Sequence, residues 1–171
     1  MDHIINEIAD SKIYKIALIK IRSLETKITD VVDLNEINIL TKLSSTYKNI
    51  FKGRSDDDRK IELLLDCLMI GSAYFERLTC IKNDLITLKS PIRTINIKIF
   101  ANIQKHKDLH KLKKQDRDLI CNVLMGPELR NVESLLGDKL DIVVNAMNHI
   151  DKLCFNIKSS LSTLKGKYNG T

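Results

Sequence analysis

The chain has 171 residues, 43% hydrophobic and 29% charged, with a formal net charge of +6. That length and apolar content suit one globular domain with its own core and exclude a disordered chain. Six Gly and two Pro are too few for the many tight turns of a β-sandwich or barrel, and they build no Gly-rich phosphate loop.

Residues 3–29 read as one or two helices, with Ile4, Ile8, Ile16, Ile19 and Ile28 near helical spacing and Asp10-Ser11 able to cap a second start. Asp33, with Glu36 three residues on, resembles a capping box. The helix it opens carries Leu34, Ile37, Leu40, Leu43, Tyr47 and Ile50 on one face and stops near Gly53, so residues 1–53 form a helical hairpin. Ser55 or Asp56 caps the next helix, whose first turn holds Asp57 and Asp58, as the helix dipole favours. This central helix runs to Lys89 within a 54–90 segment, interrupted at Gly71-Ser72, and is apolar nearly all round from Ile61 to Ile70.

Ser90-Pro91 starts another element. Ile95, Ile97 and Ile99 alternate like a strand, yet Ile92, Ile95, Ile99 and Ile103 fit a helix, and a lone strand has no partner. The expectation is a helix, followed by a turn through Lys105–Lys113 and short helices at Asp116–Met125 and Glu128–Leu136 separated by Gly126-Pro127. Segment 91–136 thus joins a last helix over 137–165, with a frayed tail from Gly166. In that helix Leu140, Val143, Met147, Ile150, Cys154, Ile157, Leu161 and Leu164 alternate at intervals of three and four, with Ile142, Val144 and Leu153 widening the stripe. Such a seam packs within a bundle or zips onto a second copy. The fold class expected is all-α: one domain over 1–171, a bundle of six or seven helices with a long amphipathic C-terminal helix.

Charge is concentrated. Residues 1–90 carry equal numbers of acidic and basic side chains, as do residues 118–171. The whole excess lies between residues 91 and 117, in Arg93, Lys98, Lys105, Lys107, Lys111, Lys113, Lys114 and Arg117 against Asp108 and Asp116. Lys105, Lys107, Lys111, Lys113, Lys114 and Arg117 are the candidate residues for contact with nucleic-acid phosphates or an acidic partner. No aromatic residues interleave with them, so base stacking is not indicated.

Catalytic and metal patterns are weak. His106 and His110 share the spacing of a histidine metal pair, but Lys107 stands where a metalloprotease needs Glu. Asp56-Asp57-Asp58 fails the EF-hand pattern, with Ile61 at its sixth position and Cys67 at its twelfth. Cys67, Cys80, Cys121 and Cys154 have no zinc spacing, lie in apolar runs and read as buried reduced thiols of an intracellular protein. Cys121 and His149 offer no more than any Cys and His chosen at random. Lys114–Leu136 has the outline of a helix-turn-helix with its turn at Gly126, but its second helix holds Glu128 and Glu133 against Arg130, poorly suited to a major groove. An αα-corner is the preferred reading.

The hairpin from Ile13 to Phe51, followed by more helices in a small basic chain rich in Ile, Lys and Asn, resembles the small subunits of phage DNA-packaging terminases. That resemblance implies a ring-forming helical protein that binds DNA without chemistry. The residue bias fits an AT-rich genome such as that of a phage, virus or mobile element.

The expected function is a non-enzymatic interaction or assembly protein. It associates with itself through Leu140, Val143, Met147, Ile150, Ile157, Leu161 and Leu164, or with a protein partner, the basic segment adding electrostatic contact. The alternative is a nucleic-acid-binding module, terminase-like, that contacts DNA or RNA phosphates through residues 105–117. No cofactor, metal or catalytic residue is expected. No window approaches the roughly 18 apolar residues of a membrane span, and Met1-Asp2-His3 does not begin a signal peptide. The expected location is cytoplasmic, in the host cell if the source is viral.

Overall fold

A computed structural model of the chain describes residues 2–32, 34–53, 56–105 and 109–168. Among these residues the secondary structure is helical and no strand occurs, so the fold is all-α. The helices are α1 (Asp2–Asp10), α2 (Lys12–Val31), α3 (Leu34–Ile50), α4 (Asp57–Thr87), α5 (Lys89–Gln104) and α6 (Lys114–Tyr168), with a 3₁₀ turn at Leu109–Lys111. The chain divides into two compact units, Met1–Val31 with Asp84–Leu140, and Val32–Asn83 with Asp141–Thr171. The division therefore falls inside α4 and inside α6.

Local chemistry accounts for the helix starts. Ser11 separates α1 from α2, and its Oγ accepts from the Tyr14 amide at 3.2 Å, an N-cap. Asp56 caps α4 through its Oδ1 and the Arg59 amide, 2.8 Å apart. Asp33 and Ser55, the other proposed caps, lie outside the described residues, as does the tail beyond Tyr168. Residues 94–100 are helical within α5; Pro91 sits in the first turn, where its missing N–H costs nothing.

In the first unit α1 packs on α2 and α2 on α5. Gln104 Nε2 donates to Asp118 Oδ1 at 3.2 Å, and Ile92 and Asn96 face Leu136 and Leu140 across a groove. Those two levels make α5 and α6 antiparallel. Leu109, fully buried, plugs the connection between them. The Tyr14 hydroxyl donates to the Leu124 carbonyl at 2.8 Å, joining α2 to α6.

The second unit is a three-helix bundle of α3, α4 and α6. At one level a Cβ placed on Gly71 of α4 would stand 2.8 Å from Cys154 Sγ and 3.5 Å from Leu43 Cδ2. At the other, the Tyr47 hydroxyl and Ser160 Oγ are 3.2 Å apart, and Asp57 and Lys60 line a recess with Ser159 and Ser160. α3 thus runs parallel to α6, and α4 antiparallel to both.

Three expected breaks are absent. α4 continues through Gly71-Ser72, because Gly71 is a point of close helix approach rather than a hinge. The elements expected at Asp116–Met125, Glu128–Leu136 and 137–165 are one helix, α6, which passes through Gly126, Pro127 and Gly137. Neither a helix-turn-helix nor an αα-corner exists at Gly126. Pro127 and the two glycines together cost about 5 kcal/mol of helix propensity. Cys121, Met125, Leu129, Val132 and Leu136 carry the buried stripe straight across them, and two or three fully buried side chains at about 2 kcal/mol each offset that cost. The proline leaves the Val123 carbonyl without a donor. Val123 is 53% exposed, so this carbonyl lies on a face that water reaches.

Replacing Pro127, itself exposed, with Ala restores the missing N–H, and Pro127→Ala is expected to stabilise the protein by about 1–3 kcal/mol in urea unfolding. An unchanged midpoint would show that α6 is interrupted at 127 in solution. Gly71→Ala is expected to destabilise by about 1–3 kcal/mol despite its better helix propensity, since the new methyl overlaps Cys154 Sγ. In a Cys154→Ala background the same change should be neutral or stabilising, and a double-mutant cycle should show at least about 1 kcal/mol of coupling.

Candidate functional site

The α5–α6 corner gathers the basic segment. Since Gln104 is tied to Asp118, Lys98 on the last turns of α5, Lys105 just beyond it, and Lys111, Lys113 and Lys114 at the start of α6 share one end of the first unit. All five are exposed. Lys107 and His106 lie outside the described residues. Ile97, Leu119 and Val123, all more than half exposed, occur in the same stretches of α5 and α6, although on α6 itself Leu119 and Val123 stand about 140° and 180° round the helix from Lys114.

Arg117 differs from the lysines. It is half-buried, and its Nε is shut off from solvent without a hydrogen-bond partner among the described residues. Part of its guanidinium therefore faces inward, which makes it a poorer ligand for an external anion than Lys113 or Lys114. Glu128, three turns on, also hides one carboxylate oxygen without a partner. Burial, aided by the Glu128 charge, holds the Tyr14 hydroxyl above its ordinary pKa, so it stays a neutral donor to Leu124.

The heptad-like residues are spent inside the chain. Val143, Ile150, Ile157, Leu161 and Leu164 are buried, while Leu140 and Met147 are half-buried. A second copy could reach this seam only by displacing the chain's own helices. Ile142, on its flank, stays partly open. The large apolar groups most open to solvent lie elsewhere: Phe155 at 71%, Ile19 at 67% and Met69 at 66%.

Sequence reasoning passed over one polar cluster. Thr41, Ser44, Ser45, Lys48, Asn49 and Lys52 line a cleft between α3 and α6 in the second unit. Their spacing places them on one helix face, a signal readable in the sequence but masked by the even charge balance of residues 1–90.

Among the described residues no group of three or more His, Cys, Asp or Glu is arranged to hold a metal ion, and no helix is long and apolar enough to cross a membrane. All four cysteines are unpaired with one another. Cys67, Cys121 and Cys154 are buried as expected, but Cys80 is exposed on α4, a correction to the reading of four buried thiols. Comparison with protein-family models, with curated proteins and with solved structures finds no match to this chain.

Burial drives the three inner thiols above their ordinary pKa, Cys121 to about 11 with the Asp118 charge adding to the effect. A thiol raised in the fold contributes stability that is complete below its unfolded value of 9.0 and is lost as pH rises towards about 11. The urea midpoint is therefore expected to fall between pH 9 and 11, less steeply in Cys121→Ala. At pH 8 an aromatic disulfide reagent should label Cys80 rapidly and the other three only after unfolding; fast labelling of more than one thiol per chain would contradict the packing.

Proposed function

We propose that this chain is a non-enzymatic interaction protein that binds an acidic, amphipathic segment of a protein partner at the α5–α6 corner. The observation that supports the reading is that the α5–α6 end of the first unit carries both exposed apolar groups, Ile97, Leu119 and Val123, and exposed Lys98, Lys105, Lys113 and Lys114. Apolar contact supplies affinity there, and the lysines supply steering and a preference for carboxylates. Self-association through the C-terminal seam is the less favoured form, since five of its seven residues are already covered. The four unpaired cysteines support a reducing compartment such as the cytoplasm.

The second reading, nucleic-acid binding of a terminase-like kind, draws on the same lysines. Phosphate contact would use the cations and leave Leu119 and Val123 idle, which is why it ranks second.

A labelled synthetic helix with Leu and Ile on one face and Glu on the other serves as probe, beside labelled duplex DNA and single-stranded RNA, by fluorescence anisotropy at 50, 150 and 300 mM salt. The peptide is expected to bind and to weaken about tenfold in both Leu119→Ser/Val123→Ser and Lys111→Glu/Lys113→Glu/Lys114→Glu. Duplex binding that is lost in the lysine variant and untouched by the apolar one would replace the proposal with the nucleic-acid reading.

A further inference from the structure

The cleft between α3 and α6 has a volume of about 450 Å³, within the range of small-ligand sites. Its chemistry is one-sided. From α3 come the hydroxyls of Thr41, Ser44 and Ser45, the ammonium group of Lys48 and the amide of Asn49; from the turn just past α3 comes the ammonium group of Lys52, and from α6 the imidazole of His149. No carboxylate lines it among the described residues. Neither Lys48, Lys52 nor His149 takes part in an ion pair among them, whereas Lys60 nearby is already held by Asp57 at 3.1 Å. Leu40 and Leu153 contribute its apolar wall, and Leu153 is buried.

The geometry points to a binding site for a small oligophosphate. Thr41 to Asn49 span about 12 Å of one face of α3, with Lys52 in the turn just beyond it, enough to place successive phosphoryl groups along hydroxyl, amide and ammonium donors. A linear triphosphate offers a separate anionic group to each lysine, whereas a single phosphate would be shared between the two, so the longer chain uses more of the array. Charge-assisted hydrogen bonds from lysine, supplemented by hydroxyl donors that rotate to suit, are the interactions that select phosphate oxygens. No Phe, Tyr or Trp lines the cleft among the described residues, so His149 is the one ring there on which a nucleobase could stack, and the phosphate chain supplies the main recognition. The site lies in the second unit and does not depend on the partner reading above.

The test is isothermal titration of the full chain with inorganic triphosphate and, separately, with ATP, at pH 7 and 25 mM salt. Both probes are expected to bind with dissociation constants within about threefold of each other. Lys48→Ala/Lys52→Ala should weaken both by at least about tenfold, and Ser44→Ala/Ser45→Ala by about threefold to fivefold. These positions are solvent-facing or half-buried, so thermal midpoints should stay unchanged and separate lost binding from lost folding. Lys111→Glu/Lys113→Glu/Lys114→Glu should leave triphosphate affinity within twofold of wild type. Absence of binding, binding of ATP alone, or binding that survives Lys48→Ala/Lys52→Ala would each overturn the proposal.

Discussion

Helices α2, α3, α4 and α5 each meet α6. Its apolar stripe runs at intervals of three and four from Cys121 through Met125, Leu129, Val132, Leu136, Leu140, Val143 and Met147, and on to Ile150, Cys154, Ile157, Leu161 and Leu164. Nearly all of these side chains are buried. Within the first unit α6 receives the Tyr14 hydroxyl from α2 and the Gln104 amide from α5. Within the second it meets Tyr47 of α3 at Ser160 and Gly71 of α4 at Cys154. In each unit the part of α6 that belongs to it forms one wall of the core, and the polar bonds fix the levels at which the partners meet it.

That constraint explains which parts of the fold were legible. Caps at Ser11 and Asp56 could be read directly, because a side-chain oxygen two or three residues ahead of unsatisfied amides is a local device. The helical assignment of residues 94–100 could be read because an isolated strand has nowhere to pair. The continuity of α6 and α4 could not be read from the same kind of signal. Gly126, Pro127, Gly137 and Gly71 are punctuation only when nothing outweighs their cost, and tertiary burial outweighs it here. The information was present at a longer range: apolar residues continue upstream of Leu140 to Cys121 at intervals of four and three, though no longer in strict alternation. Local breakers divided a pattern that the core reads as one.

Burial also divides the candidate interaction residues by type. A hydrophobic seam says that a helix face will be covered but carries no label for what covers it, and here Val143, Ile150 and Ile157 are covered by the chain itself. Charge behaves differently. Lysines remain at the surface because burying an ammonium group without a partner costs several kcal/mol, so the cluster found by counting charge stays exposed at Lys98, Lys105, Lys113 and Lys114. Arg117 departs from this with one buried guanidinium nitrogen, which the count could not separate from its neighbours. Net charge per segment has its own blind spot: Lys48 and Lys52 belong to a balanced half of the sequence, yet the acids that balance them do not line their cleft.

The surface that results is built from what the core rejects. Once α6 has drawn the inward-facing Leu, Ile and Val residues into the two cores, the apolar groups still open to water are those on the opposite faces, such as Leu119 and Val123, one turn apart. On α6 these stand on the face away from Ile120, Cys121 and Leu124, and they cannot be drawn inward without turning that buried set outward. Exposure of this kind is therefore not slack in the packing. The same stripe that seals the seam against a second copy holds Leu119 and Val123 out to solvent, on the helix whose start carries the exposed Lys114.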